Sequence, residues 1–345
     1  MILTTPLLER LAQDGPVHVV ATPANAALLA QHPAVSSVIV FDKRGTDRGW
    51  RGVRRVAQAL RATGARTAYL AQGSVRTAAI AWLAGIPERV GFASSPGRWL
   101  YTRQLPFDRR LHHAQRLWQL ASPLGVPEVP PVLRPSLYPG GADQAQAEAL
   151  LQEAGVRAGD RLVALAPGSV WATKRWPSYP ALATALLARL SLSEGPRPRF
   201  VVLGGRDDAP LAAAIAAAVA AAAAERGDAP VIDATGRLTL LASAALLARC
   251  AVLVTNDSAP LHLASAMNTP TVALFGPTLP AFGFGPLATA QTVLERQGLP
   301  CRPCGAHGGR QCPKGHWQCM RDVTPELVAE ATRSLSGTLG DPHRG

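Results

Sequence analysis

Two stretches of the chain place anion-binding chemistry at the end of an apolar run. Val252–Thr255 leads into Asn256-Asp257-Ser258-Ala259-Pro260-Leu261-His262-Leu263-Ala264, a polar turn that opens a helix. A helix start carries unpaired N–H groups and the positive end of the dipole, which together suit a phosphate. Asp257 and Ser258 are equally suited to capping that helix, and His262, one turn in, is either a partner of the same anion or a helix-face histidine. The second stretch is Ala166-Pro167-Gly168-Ser169-Val170-Trp171-Ala172-Thr173-Lys174-Arg175-Trp176-Pro177. A strand ends there, Gly168 permits a tight turn, hydroxyls and two cations follow, and Pro177 stands where a helix can begin. Lys174 is a compact charge and Arg175 a fork, both suited to pyrophosphate; an exposed basic loop is the plainer alternative. A third strand end, Leu203-Gly204-Gly205-Arg206-Asp207-Asp208, offers carboxylates to a ribose or caps to the Ala-rich helix after it.

Four of the five cysteines fall in Cys301-x2-Cys304-x7-Cys312-x6-Cys319, interspersed with His307 and His316. That spacing is that of a small metal loop, and a structural zinc on four thiolates is the first reading. Unligated thiols on a loop, or an iron–sulfur or redox pair, are the other readings. Stable disulfides do not suit the cytoplasm expected for a chain without an export signal. Cys250, at a helix-to-strand junction, belongs to the core.

The elements that must position these groups alternate. Strands are expected at Val17–Ala21, Val35–Phe41, Thr67–Ala71 and Arg89–Phe92, with helices near Ala24–Gln31, Val53–Thr63 and Val75–Leu83 between them. In the second half, strands are expected at Leu162–Ala166, Phe200–Leu203, Val231–Asp233, Val252–Thr255 and Thr271–Phe275. Such alternation implies α/β units with parallel sheets covered by helices. Pro123 to Gly141, with prolines at 127, 130, 131, 135 and 139, forbids a helix and reads as a linker. Two domains suit 345 residues, because one core seldom grows past about 250 to 300. The expected division is 1–122, linker 123–141, a second domain 142–323 that includes the Cys-rich loop 301–319, and a C-terminal helix and tail 324–345.

Composition excludes several classes. Hydrophobic residues make up 48% and charged residues 17%, so the chain is neither disordered nor membrane-spanning. The Ala-rich Leu211–Ala224 run is too short to cross a bilayer. A net charge of +12 raises nucleic acid, anionic membranes and acidic small molecules as partners. Arginines are spread along the chain without an aromatic-interleaved basic motif, so nucleic acid is not the expected partner.

The order Pro-Gly-Ser…Lys-Arg-Trp-Pro, Leu-Gly-Gly, Thr-Asn-Asp-Ser-Ala-Pro-Leu-His-Leu-Ala and Leu-Phe-Gly-Pro-Thr resembles glycosyltransferase family 9, the ADP-heptose:lipopolysaccharide heptosyltransferases. The opening Leu-Thr-Thr-Pro-Leu-Leu and His113-Ala-Gln-Arg116 are similar to it as well, so the resemblance spans nearly the whole chain. It implies a GT-B fold: two Rossmann-like domains facing a central cleft, an acceptor-binding N-terminal domain and a nucleotide-sugar-binding C-terminal one. It implies inverting transfer of a heptose or related sugar from a nucleotide donor to a lipopolysaccharide core or other surface glycan, with no cofactor in catalysis. By that resemblance Lys174 binds the diphosphate with Ser169 and Thr173 nearby, while Asp257, Ser258, Ala259 and His262 line the phosphate and sugar pocket. Asp207 is placed at the ribose, and Leu238 falls where the family packs a Met against adenine.

The first loop departs from the family pattern. There the family reads Gly-Asp, a hydrophobic residue, then Leu-Leu-Thr-Thr-Pro, and that Asp is the proposed general base. Met1 stands at the hydrophobic position, so the base is expected immediately before Met1 and the first strand of the N-terminal domain is missing as written. A start assigned late, with about 12 to 15 residues upstream, is one expectation; a true truncation is the other. Acceptor contacts are expected from Thr5, Gln72, Ser74 and Arg76, and the chain is expected to be a cytoplasmic monomer, peripheral on the inner face of the anionic membrane. Two alternatives remain open: a nucleotide-sugar-binding protein without a base, and a sugar-nucleotide epimerase or hydrolase on the same fold, although only Asp207-Asp208 offers it paired carboxylates.

Overall fold

The computed structural model describes residues 1–122, 132–190, 198–223 and 231–337. The first part of the proline-rich segment, residues 123–131, and the tail from 338 onward lie outside the described residues. The chain divides into two compact units, Met1–Tyr138 and Pro139–Gly345. Residues 132–140 carry no regular element.

The first unit opens on a 3-10 turn at Ile2–Thr4 and runs α1 (Thr5–Leu11), β1 (His18–Ala21), α2 (Pro23–Ala27), β2 (Ser37–Val40), α3 (Gly49–Ala62), β3 (Thr67–Tyr69), α4 (Val75–Leu83), β4 (Glu88–Phe92), β5 (Arg103–Leu105) and α5 (His113–Gln119). Its strands form two parallel sheets, β1-β2 and β3-β4-β5. Helix α3 shows why such segments fold: Val53, Val56, Ala57 and Leu60 recur at helical spacing and are buried, while Arg51, Arg54 and Arg61 face water. One core gathers Phe41, Val56, Leu60, Leu70 and Ile80, another Leu7, Val90, Phe92, Leu117 and Leu120. Helix α2 is shorter than the expected Ala24–Gln31. Residues 28–31 continue as turns, and Pro33 keeps His32 out of a longer helix.

The second unit runs α6 (Gly141–Glu153), β6 (Arg161–Ala166), α7 (Tyr179–Leu190), β7 (Pro198–Val202), α8 (Ala209–Ala222), β8 (Val231–Asp233), α9 (Leu240–Ala248), β9 (Val252–Asn256), α10 (Ala259–Met267), β10 (Thr271–Phe275), β11 (Gln291–Glu295), α11 (Gln318–Arg321) and α12 (Pro325–Gly337). One parallel sheet of order β11-β10-β9-β6-β7-β8 holds all its strands. Val163 pairs with Phe200 on one side and Val252 on the other, so β6 and β9 are neighbours although three helices separate them in sequence. The winding direction reverses between β6 and β9, and ligands of doubly wound sheets bind outside the strand ends at such a switch point. Strands β9 and β10 are buried along their whole length, as sheets covered on both faces require. Val328, Ala329 and Leu335 of α12 join the same core, so this helix is part of the second unit.

Strands β5 and β11 were not expected from sequence. Arg103-Gln104-Leu105 is short and polar, and Gln291–Glu295 is an edge strand whose residues are intermediate or exposed. No helix among the described residues is long and apolar enough to cross a membrane.

Candidate functional site

The carboxyl ends of β6 and β9 are pinned together by one buried side chain. Asn256, fully buried, donates from Nδ2 to Pro167 O at 2.8 Å and accepts the Trp176 N–H at 3.2 Å. The loop that leaves β6 and returns to α7 is therefore tied at both ends to the last residue of β9. Tyr179 strengthens the knot, its hydroxyl donating to Ala166 O at 3.1 Å, and burial holds that phenol well above its usual pKa. Gly168 is needed here for close approach rather than for a turn. A Cβ on it would stand 2.4 Å from Asp208 Cγ, a contact no side chain could keep.

Within this frame Lys174 and Asp257 meet at 2.6 Å, with side chains only 11% and 12% exposed. The Thr278 hydroxyl donates to the same Asp257 oxygen at 2.7 Å. Asp257 thus orients the cation and is itself oriented from the β10 side. Ser258 is the N-cap residue of α10 but its side chain makes no capping bond, and Pro260 fills the first turn. The amide of Ala259 at the first helical position points its N–H outward with the positive end of the dipole, an arrangement that receives anions.

These groups open into a pocket of about 380 Å³ lined by Ser169, Trp171, Lys174, Asp257, Ser258, Ala259 and His262 on the strand-end side. Leu279, Phe282 and Phe284 from the loop after β10, and Ala306 and His307 from the Cys-rich loop, complete the wall. The His262 and Phe284 rings lie 6.4 Å apart. The aromatic wall suits a flat or apolar ligand face, and the strand-end side suits phosphate.

Of the donor-side residues expected from sequence, Ser169, Lys174, Asp257, Ser258, Ala259 and His262 are brought together. Thr173 is adjacent but committed: its Oγ1 donates to Gly309 O at 2.9 Å and accepts the Gly309 N–H at 2.7 Å. Asp207, exposed on the 3-10 turn Arg206–Asp208, and Leu238, in the loop after β8, do not line the pocket. They stand at the carboxyl ends of β7 and β8, further along the same sheet edge. Its neighbour Asp208 folds back to accept the Gly205 N–H at 2.9 Å. Thr278, Phe282 and Phe284 were not singled out from sequence, and Asn256 and His307 were named there only within the polar turn and the Cys-rich segment. Thr278 and Asn256 lie inside the family-like segments, whereas only the folded loops bring the other three to the pocket.

In the first unit, Gln72 and Arg76 are exposed at the β3–α4 junction. Ser74 is the N-cap of α4, accepting the Thr77 N–H at 3.2 Å. Thr5 corrects the expectation of an acceptor contact: it is fully buried, its hydroxyl donating to Ile2 O at 3.0 Å and accepting the Ser136 N–H at 2.9 Å. Both hydrogen-bonding roles of that hydroxyl are spent inside the unit.

Cys301, Cys304 and Cys312 are partly exposed, and Cys319 is buried beside Met320 in the main core. Burial, then the charges of Cys304 and its neighbours, pushes the Cys319 thiol up to about 11. Burial and the charges of Cys301 and Cys312 raise Cys304. Burial also acts on Cys312, but the N–H groups of Trp317, Lys314, Gly315 and His316 outweigh it and lower that thiol. Cys250 is buried in the core, raised by burial to about 12.

The sequence profile of glycosyltransferase family 9 (heptosyltransferase) matches residues 53–317. Lipooligosaccharide heptosyltransferase 2 of Haemophilus influenzae is 29% identical over 210 residues, covering 59% of this chain and 56% of that one. The chain thus spans little more than half the length of that curated relative. A family 9 glycosyltransferase from Veillonella parvula superposes with a TM-score of 0.79 at 25% identity, covering 98% of this chain and 94% of the other. The ADP-heptose lipopolysaccharide heptosyltransferase II of Escherichia coli does so with 0.74 at 25% identity, covering 97% and 95%. With its strand-end pocket, its parallel α/β units of GT-B type and a profile match over most of its length, the chain belongs to glycosyltransferase family 9.

Proposed function

We propose that this chain transfers a heptose from ADP-heptose to a lipopolysaccharide-core acceptor, with inversion at the anomeric carbon. The observation that carries the reading is the Lys174–Asp257 pair, at 2.6 Å, set beside the start of α10 at the switch point of the second unit. Charge develops on the diphosphate as the glycosidic bond breaks, and prearranged donors aimed at that charge lower the barrier. Lys174 supplies the compact cation, the α10 amides the dipole, and Asp257 holds Lys174 in place. Asp257 also faces the pocket as an acceptor for sugar hydroxyls, with His262 one turn further in. A donor longer than the pocket extends along the sheet edge toward β7 and β8, where Asp207 meets the ribose and Leu238 the adenine.

In the same reading Gln72, Ser74 and Arg76 contact the acceptor, and the positive charge favours an anionic inner-membrane surface. The displacement itself needs no cofactor. A structural zinc on Cys301, Cys304, Cys312 and Cys319 belongs to the reading, away from the reacting atoms. The test is calorimetric binding of ADP-heptose and mass-spectrometric detection of heptosylated core acceptor. Binding with transfer is the expected result, and absence of ADP-heptose binding overturns the assignment.

A further inference from the structure

The carboxyl ends of β10 and β11 lie side by side, with Phe275 opposite Glu295, and beyond them the ladder stops. Phe275 and, three residues on, Thr278 are buried, so their carbonyls need donors from elsewhere. Arg302, in the segment after β11, supplies them. Its side chain is only 4% exposed. The guanidinium donates to Thr278 O at 3.0 Å, at longer range to Phe275 O at 3.5 Å, and to Arg296 O. Glu295 accepts from the same Nη2 at 2.7 Å and neutralises the charge. A lysine ammonium has no planar fork with which to span acceptors set so far apart.

The clamped turn is the one that reaches the pocket. The Thr278 hydroxyl donates to Asp257 Oδ2, the oxygen that also accepts from Lys174 Nζ. Where the Thr278 backbone sits therefore sets where that hydroxyl points. From Thr278 the chain runs into Leu279, Phe282 and Phe284 of the pocket wall. Two further contacts hold the turn: the Cys304 N–H donates to Pro277 O at 2.9 Å, and Met320 packs so closely that a Cβ on Gly276 would lie 2.5 Å from its sulfur. Both act on residues before Thr278, whereas Arg302 acts on Thr278 itself. Arg302 does not line the pocket.

A buried ion pair is a poor device for stability alone. Removing both charges from water offsets much of their attraction, and an apolar pair of similar volume often serves as well. The Arg302–Glu295 pair does what an apolar pair cannot, aiming donors at carbonyls beyond two strand ends. We infer that Arg302 is a positioning residue of the pocket: held by Glu295, it fixes the Thr278 backbone and through the Thr278 hydroxyl keeps Asp257 and Lys174 aligned, so that nucleotide affinity depends on a side chain outside the pocket. The inference rests on reading the pocket as the donor site.

The test uses the full chain, calorimetric titration with ADP and thermal melting. Arg302→Met alone would leave the Glu295 carboxylate without its cation, so the pair is exchanged together as Arg302→Met/Glu295→Leu. That apolar replacement should keep the melting temperature within about 4 °C of the unaltered chain. Its ADP affinity should fall about tenfold, or ~1.4 kcal/mol. Arg302→Lys keeps the charge against Glu295 and loses the fork; it should weaken ADP in the same direction and carries the test if the double variant does not fold. Thr278→Val should match the double variant, and Thr278→Ser, which keeps the hydroxyl, should bind within about twofold of the unaltered chain. Adding Thr278→Val to the double variant should cost little more, because both act on one contact. ADP bound by the Arg302 variants as tightly as by the unaltered chain overturns the inference. So do losses that simply multiply, which would place the effect of Arg302 elsewhere, and a Thr278→Ser chain as weak as Thr278→Val, which would assign the effect to packing. No ADP binding by the unaltered chain removes the donor-site reading and the inference with it, a failure visible before any variant is compared.

Discussion

The two units are built from the same kind of parallel α/β alternation, but they treat their strand ends differently. In the second unit one continuous six-stranded sheet delivers two loops to a single switch point, and Asn256 locks them together. In the first unit the strands are three to five residues long and lie in two sheets. The polar residues at its β3–α4 junction partly serve local structure, as Ser74 does in capping α4. A site for a small, highly charged ligand needs groups fixed from several elements, and the second unit provides that. Gln72 and Arg76 of the first are, by contrast, exposed at their junction.

Four substitutions or conditions press on this contrast. The largest effect belongs to Lys174→Ala, which should cut heptose transfer by about 10²- to 10³-fold through loss of one charge-stabilising donor. A change under threefold in kcat/KM would remove Lys174 from the donor site. Next is Gly168→Ala, whose Cβ would meet Asp208 Cγ at 2.4 Å. Overpacking of this kind costs about 1–3 kcal/mol, and the melting temperature should fall accordingly. Pairing it with Asp208→Ala should recover most of the loss; failure to recover would place the strain elsewhere. Smaller is Arg76→Ala in the first unit, expected to raise the acceptor KM by up to about tenfold, the value of one charge-assisted contact, with donor affinity unchanged. Equal loss on donor and acceptor would erase the division of labour.

The smallest effect concerns acid stability of the first unit. Asp47 pairs with Arg55 at 2.6 Å, and that hydrogen-bonded guanidinium, against burial, holds its carboxyl below the usual range. The folded pKa lies below the unfolded value of about 3.9. Stabilisation by the pair is therefore complete above that value and fades as pH falls through the folded pKa. Asp47→Asn should lower the melting temperature at pH 7 and leave it nearly unchanged near pH 2. An equal deficit at both pH values would assign the effect to packing rather than charge.

The strand-end pocket was legible in sequence because strand end, polar turn and helix start coincide in a few consecutive residues at both β6 and β9. Parallel alternation was legible for the same reason. What sequence did not reveal depends on distant loops meeting. His307 and Phe284 reach the pocket only after folding, and Thr173 turned out to be held by Gly309, 136 positions away. Strand β11 lacks the apolar alternation that marks strands because it lies at the sheet edge. Gly168 was noticed for the wrong reason, since crowding by Asp208 cannot be read without the fold. Thr5 shows the converse: a residue in a family-like segment whose hydroxyl is consumed by Ile2 and Ser136.

The closeness of Lys174 to Asp257 sets how the molecule responds to ionic strength. Salt screens exposed charges over about 8–10 Å under physiological conditions but acts far less on a pair shielded by protein. Both partners here are nearly nine-tenths covered. The cation's alignment therefore persists in concentrated electrolyte, whereas the long-range field of a +12 chain is screened. Raising the salt concentration thus separates the response of the buried pair from that of the exposed charges in one preparation, without altering a single residue.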